Sequence, residues 1–172
     1  MADTATLIAA ALAAAVLSSA AAARQPPGPA NTRDVLLAGW NDVGEKFIAL
    51  AEEFPEEKYD YRPGADVRTF GDVVRHVAFW NGWVAKTARG EKADGSPNEL
   101  PKAQYGTKAA MVAALKSSLT EAAAELKKHA DAPTPRQAEL WGSFIAHTSE
   151  HYGQLVVYYR LNGLVPPASR GR

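Results

Sequence analysis

Histidines are the side chains in this sequence whose spacing points most directly to chemistry. The 172-residue chain contains four of them, His76, His129, His147 and His151. Because His147 and His151 are four residues apart, a helix would project both from one face, close enough to share a metal ion. His76 has apolar residues three positions before it and four after it, which places it on the inner face of another predicted helix. His129 stands at a predicted helix end, where a cation stabilises the helix dipole, so the other three are the candidate metal ligands.

Three imidazoles form a donor set that is typical of a catalytic metal site. Burying them without partners would cost about 1–3 kcal/mol per unsatisfied group, and a metal bound by their neutral nitrogens offsets that cost. Three ligands leave one coordination position for water or substrate, unlike a closed structural site. Imidazole binds Zn, Ni, Fe and Cu alike, so the spacing does not select the divalent ion. The alternative is that the three residues are ordinary core histidines.

Residues near the predicted site are candidates for supporting roles. Asp72, one turn before His76, could accept a hydrogen bond from that imidazole, or could be an exposed acid at a helix start. Arg160 could bind a carboxylate of a substrate, or could be a surface charge near a helix end. Aromatic residues at helical spacing could line an apolar pocket beside the ion or fill the core: Trp80, Trp83, Trp141, Phe144 and Tyr152.

A second motif overlaps the last two histidines. The segment His147-Thr-Ser-Glu150-His151 matches H-x-x-E-H, in which two histidines bind zinc and the glutamate acts as general base of a metallopeptidase. Residues 152–172 contain no acidic residue, so the downstream acidic ligand that such peptidases require is missing. The chain is also too short for a two-lobed cleft. We therefore interpret Glu150 as a solvent-facing carboxylate or one that supports a ligand from behind.

Composition restricts the classes of function. Hydrophobic residues make up 47% and charged residues 22%, which is typical of one globular domain at this length. Lys plus Arg and Asp plus Glu both number 19, so no charge excess favours nucleic acid or acidic lipids as partners. With no cysteine, the chain has no disulfide, thiolate nucleophile, Cys-ligated zinc or iron–sulfur cluster. We expect a small-molecule substrate and chemistry carried by histidines.

The N-terminal segment has the pattern of an export signal. No charged residue occurs between Thr4 and Ala23, and the apolar run ends in small residues that offer several cleavage frames before Arg24. We predict a signal peptide over 1–23, a Pro-rich linker over 24–30, and a periplasmic or extracellular protein. The alternative is a cytoplasmic protein with an alanine-rich tail. Alanine dominates the run, so it does not predict a membrane span.

Apolar residues recurring at three and four positions predict four helices after this linker. They cover 32–54, 69–90, 107–132 and 135–163, and a Pro- and Gly-containing polar connection spans 90–106. Pro55, Pro133 and Asn162-Gly163 supply the stop signals. No stretch alternates between apolar and polar residues for long enough to predict a β-strand. The sequence therefore predicts an all-α domain over 31–170, an antiparallel four-helix bundle.

Three segments together resemble the DinB-like superfamily over roughly residues 31–170. They are Phe70-Gly-Asp-Val-Val-Arg-His76-Val-Ala-Phe-Trp80-Asn, His147-Thr-Ser-Glu-His151-Tyr-Gly-Gln154-Leu and Tyr159-Arg160-Leu-Asn-Gly163-Leu-Val-Pro-Pro167. The resemblance implies an up-up-down-down bundle that is often a homodimer, with a divalent metal on the positions matching His76, His147 and His151. Gln154 becomes a candidate for supporting a ligand or binding substrate.

The resemblance also implies classes of activity. Members with known activity include transferases and isomerases that use a low-molecular-weight thiol such as bacillithiol, mycothiol or glutathione. A metal site of this kind could instead support hydrolysis of an ester or amide. A metal-binding or interaction module without turnover stays open as a third possibility. The family's link to DNA damage concerns expression and does not imply nucleic-acid binding.

Overall fold

A computed structural model describes residues 31–171, which fold as four long helices. These are α1 (Thr32–Glu53), α2 (Phe70–Ala88), α3 (Lys108–Leu126) and α4 (Pro135–Leu161), with 3-10 turns at Glu56–Lys58 and Pro167–Ser169. No strand occurs in this part of the chain, so the predicted all-helical class is confirmed. The predicted signal peptide (1–23) and linker (24–30) lie outside the described residues. Among the helices that are described, none has the length and apolarity needed to cross a membrane.

Local sequence explains where each helix begins. The side chains of Asn31, Thr69, Thr107 and Thr134 each accept a hydrogen bond from the backbone N–H three residues further on. Such caps satisfy a donor that has no partner inside the helix. At Thr69 the cap is reciprocal, because Asp72 accepts from the backbone N–H of Thr69. This capping box fixes the start of α2, which carries the first of the three candidate ligands.

Aromatic side chains fill both ends of the core. At one end Trp40 of α1 and Trp141 of α4 meet edge to face, with ring centroids 5.4 Å apart. At the other end Phe54 stacks on Phe70 at 3.9 Å and contacts Tyr159 at 5.0 Å. All five rings are fully buried. Burying each of them contributes on the order of 2–3 kcal/mol, so these clusters hold the helices in register.

Contacts between helix ends give the direction of each helix. The Phe54 carbonyl, at the end of α1, accepts from Lys108 at the start of α3 with 2.8 Å between heavy atoms, so α1 and α3 are antiparallel. Helices α2 and α3 are parallel, because Arg75 contacts Met111 near their starts and Arg89 pairs with Glu121 near their ends. The Trp40–Trp141 and Phe54–Tyr159 contacts make α1 and α4 parallel as well.

The order of the bundle is therefore up-down-down-up, which corrects the expected up-up-down-down order. The antiparallel prediction holds for α1 with α3 and for α2 with α4, but not for the other two neighbouring pairs. Hydrophobic periodicity shows which face of a helix is buried and carries no information on its direction. Helix α2 has 19 residues and is therefore about 28 Å long. The connection 89–107 runs back along this whole length, from the end of α2 to its start. We call these residues the crossover connection.

Candidate metal centre

The structure brings His76, His147 and His151 together between α2 and α4. Each offers a ring nitrogen, and these nitrogens all lie within 4.8 Å of one another. The Nε2 atoms of His76 and His147 are 3.1 Å apart. His129 lies elsewhere, with Nδ1 bonded to Gln137 and its ring against Trp141. The predicted grouping of three histidines, with the fourth apart, is thus what the fold produces.

The spacing of these nitrogens fits a single divalent ion. Tetrahedral zinc holds each imidazole nitrogen at about 2.0–2.1 Å, which places two such nitrogens about 3.3 Å apart. The 3.1 Å between His76 and His147 is close to that value. His76 is only 6% exposed, so its ring is already desolvated and held in place. The three side chains could therefore hold an ion with little rearrangement.

The proton on His76 is placed by the crossover connection. Its Nδ1 lies 2.6 Å from the backbone carbonyl of Asn98. A carbonyl oxygen only accepts, so Nδ1 carries the hydrogen and Nε2 keeps its lone pair facing His147. Metal-ligating histidines commonly donate their other N–H in this way, which fixes ring orientation and raises basicity. Sequence analysis missed this role of Asn98.

A relay of three hydrogen bonds places the proton on His151. The Tyr158 hydroxyl donates to the Arg68 carbonyl at 2.7 Å, so its oxygen accepts from Gln154 Nε2 at 2.9 Å. Gln154 Oε1 then faces Nδ1 of His151 at 2.8 Å and accepts its hydrogen. The Nε2 lone pair of His151 is left free. Gln154, which became a candidate through the family resemblance, contacts the ring of His151. The sequence gives no signal for the role of Tyr158, because tyrosines at helical spacing also fill hydrophobic cores.

His147 is the ligand candidate without such a constraint. Its Nδ1 is buried and has no hydrogen-bond partner among residues 31–171. Because Nε2 of His76 offers only a lone pair, Nε2 of His147 must donate its hydrogen in the metal-free protein. Binding an ion requires that hydrogen to move to Nδ1 or leave. One histidine of the three can therefore change its tautomer while the other two are held.

Burial keeps His76 and His147 uncharged at neutral pH. It lowers the pKa of His76 to about 4, and the nearby charges of Arg68 and His151 act in the same direction against the bond to Asn98. Burial also lowers the pKa of His147 to about 4, followed by the charges of His151, His76 and Arg68. Neutral imidazole is the form that binds metal ions. Both rings are thus already neutral when a cation arrives, and only the hydrogen on Nε2 of His147 has to move.

Asp72 has partners other than the imidazole it was expected to orient. Its carboxylate closes the capping box with Thr69 and forms a salt bridge with the buried Arg75. The ring nitrogens of His76 are bonded to Asn98 and to His147 instead. This corrects the interpretation of Asp72 as the hydrogen-bond acceptor of His76, and the alternative of a helix-start acid describes its contacts. Sequence spacing offered the acid one turn away as one of two interpretations and carried no information on a carbonyl from a distant connection.

Glu150 and Arg160 lie on the surface of α4. Both are exposed, whereas the three histidines are buried or half-buried. Within residues 31–171, the group of side chains close enough to share an ion consists of the three histidines and does not include Glu150. The general base that an H-x-x-E-H peptidase needs is therefore not directed at the candidate ligands, and the metallopeptidase interpretation loses its mechanism.

Aromatic rings line one side of the cluster. Trp80 and Phe144 lie 6.3 Å and 6.0 Å from the ring of His147, centroid to centroid. Trp83 stacks on Phe144 at 5.6 Å. Trp141, which could have lined the same pocket, packs instead against Trp40 in the core. The candidate centre therefore has an apolar wall built from α2 and α4.

Comparison with known families gives one match. The sequence model of the DinB superfamily matches residues 40–158, well over half of the chain and inclusive of all three histidines. The resemblance predicted from the sequence is confirmed. No curated protein matches the chain.

Proposed function

Because the chain belongs to the DinB superfamily, we propose that it binds one divalent metal ion through His76, His147 and His151 and uses it on a small-molecule substrate. The convergence of three buried or half-buried ring nitrogens within 4.8 Å carries this proposal. Zn, Ni and Fe are the candidate ions, since imidazole binds all three. The reaction class is a metal-dependent hydrolysis or the transfer of a group to a thiol. A metal-binding module without turnover is the alternative outcome.

The residues of this chain would divide the work at such a site. A divalent ion on three imidazoles leaves a position for an exogenous ligand and lowers the pKa of a water or thiol that binds there. Asn98 and Gln154 would hold the rings of His76 and His151. Trp80 and Phe144 would exclude water from one side and contact the carbon skeleton of a substrate. Since the chain has no cysteine, a thiol nucleophile would have to come from a low-molecular-weight thiol.

Elemental analysis of purified protein tests the metal site. We expect about one equivalent of metal in the wild type and a sharp loss in His76→Ala, His147→Ala and His151→Ala. His129→Ala is the matched control, because it removes an imidazole that lies outside the cluster. It should retain the metal. Wild-type protein that takes up no stoichiometric Zn, Ni or Fe after reconstitution would contradict the proposal.

Turnover assays separate the reaction classes. A thiol-dependent transferase should act on an electrophile only when glutathione, mycothiol or bacillithiol is added. A hydrolase should cleave an activated ester without added thiol. Whichever of the two activities the wild type shows should disappear in His76→Ala and survive in His129→Ala. Stoichiometric metal with neither activity would favour the non-catalytic module.

We also propose that the protein is exported and dimeric. Export is supported by the charge-free run before Arg24, and an intact N-terminus on protein purified from the native host would contradict it. A homodimer is supported by two apolar side chains one turn apart on α4, Val157 (52% exposed) and Leu161 (59% exposed). Leu161→Glu should then yield a monomer in sedimentation experiments, whereas a monomeric wild type would rule the dimer out.

A further inference from the structure

Asn98 has an unusual backbone conformation. Its φ is +61°, and among the described residues it is the single non-glycine residue with a positive φ. Asparagine tolerates the left-handed region better than most residues, which pay a steric cost there. A strained position that persists must be held by its surroundings and is a reason to look for a role.

This conformation directs two oxygens of Asn98 at one face of α2. The backbone carbonyl accepts from Nδ1 of His76 at 2.6 Å. The side-chain Oδ1 accepts from the indole N–H of Trp80 at 3.0 Å. His76 and Trp80 are four residues apart and therefore neighbours on the helix surface. A single residue thus binds a candidate metal ligand and the aromatic residue beside it.

The crossover connection is fixed to α2 on both sides of Asn98. Before it, Gly95 lies so close to Trp80 that a Cβ there would stand 2.9 Å from the indole ring. After it, Leu100 exchanges two hydrogen bonds with Arg75: its N–H donates to the Arg75 carbonyl at 3.4 Å, and Arg75 Nε donates to its carbonyl at 3.1 Å. The carbonyl of Asn98 is therefore held in position by its neighbours as well as by its own side chain.

From this geometry we infer that Asn98 is a positioning residue for the metal centre, which keeps the hydrogen of His76 on Nδ1 and its Nε2 free for the ion. The inference rests on the proposed metal-binding function. It concerns the metal-free protein as well, so it can be tested separately. Without the carbonyl, the imidazole could carry its hydrogen on either nitrogen, and the form with Nε2–H has no lone pair to donate.

Variants at Asn98 separate backbone conformation from side-chain contact. Asn98→Ala removes the bond to Trp80 and disfavours the left-handed backbone, so zinc affinity should fall by about 10–100-fold. Asn98→Gly keeps the backbone conformation accessible and loses only the side-chain bond, so its loss should be smaller. Asn98→Asp keeps an acceptor for the indole N–H of Trp80, so its zinc affinity should stay close to that of the wild type. Ser96→Ala is the matched control, since Ser96 bonds only to Asp94 within the same connection.

The experiment reads the tautomer and the affinity separately. Long-range ¹H–¹⁵N spectra of metal-free, ¹⁵N-labelled protein should show His76 with its hydrogen on Nδ1 in the wild type and in Ser96→Ala. Asn98→Ala should show a mixture or the Nε2–H form. Trp80→Phe, which removes the indole donor and keeps an aromatic ring, should shift the tautomer in the same direction. It gives a second test if Asn98→Ala fails to fold.

Two outcomes would overturn the inference. One is a wild-type His76 with its hydrogen on Nε2. The other is an Asn98→Ala protein that keeps both the Nδ1–H tautomer and wild-type zinc affinity in a chelator competition. A wild type that binds no zinc but holds His76 in the Nδ1–H form, and loses that form in Asn98→Ala, would refute the proposed metal-binding function. It would still support the part of the inference that assigns control of the His76 tautomer to Asn98.

Discussion

Replacing Tyr158 with phenylalanine should weaken metal binding, although Tyr158 is not a candidate ligand. Its hydroxyl donates to the Arg68 carbonyl at 2.7 Å and accepts from Gln154 at 2.9 Å, and Gln154 in turn accepts from His151. Phenylalanine keeps the ring, which packs edge-on against Tyr61 with centroids 5.9 Å apart. The substitution therefore removes two hydrogen bonds and little packing.

The expected magnitudes follow from those bonds. Each is worth about 1 kcal/mol, so the free energy of unfolding of the metal-free protein should fall by about 2 kcal/mol, or roughly 4–8 °C in Tm. Without the relay, Gln154 can turn over and present its amide nitrogen to His151. Losing such support for a ligand typically costs about 10–100-fold in metal affinity, which corresponds to about 1.4–2.8 kcal/mol.

The adjacent Tyr159 provides a matched control. Its hydroxyl also donates to a backbone carbonyl at 2.7 Å, that of Leu50, which already accepts from the N–H of Phe54 at 3.1 Å. Tyr159→Phe should lower the free energy of unfolding by about 1 kcal/mol and leave zinc affinity unchanged. Thermal melts of metal-free protein and competition with a chromophoric chelator measure both quantities. Equal zinc affinities for the two variants would refute the argument that the relay orients His151.

Other properties of the centre and of the chain give three more predictions. The pKa values of His76 and His147, about 4 in the folded state against 6.5 in the unfolded chain, mean that the unfolded chain binds more protons between these values. The free energy of unfolding of the metal-free protein should therefore be highest above pH 6.5 and fall steadily toward pH 4. A Tm that stays constant over that range would contradict the lowered pKa values of the two histidines. Glu150→Gln should retain stoichiometric metal by elemental analysis, because Glu150 is exposed outside the cluster; loss of the metal would return it to the ligand set. Deleting residues 1–30 should leave Tm nearly unchanged in calorimetry, and a fall of several degrees would show that the segment stabilises the domain.

The sequence predicted the parts of this structure that depend on local periodicity. Apolar residues at three and four positions define the helices, and Pro55, Pro133 and Asn162-Gly163 mark their ends. The same periodicity placed His147 and His151 on one face and His76 on an inner face. These are properties of a single helix, so they can be predicted without knowledge of its neighbours.

The supporting contacts could not be predicted, because they join residues from distant parts of the chain. The carbonyl that holds His76 belongs to Asn98, 22 positions later, and the one that anchors the Tyr158 relay belongs to Arg68, 90 positions earlier. Backbone carbonyls are present in every residue and leave no mark in a sequence. The expected order of helix directions was wrong for a related reason. It depends on how the crossover connection runs along α2, and this path is not encoded in the periodicity of any one helix.

These contacts also suggest how folding and metal binding are coupled. Two helices supply the rings, but two connections supply the carbonyls: Asn98 follows α2, and Arg68 precedes it. The lone pairs of His76 and His151 can face an ion together only when both connections are docked on the bundle. A ligand that binds only this folded arrangement stabilises it by about 2.7 kcal/mol at 100 times its Kd. That stabilisation should therefore appear first as slower amide hydrogen exchange in the two connections, at residues that touch no metal.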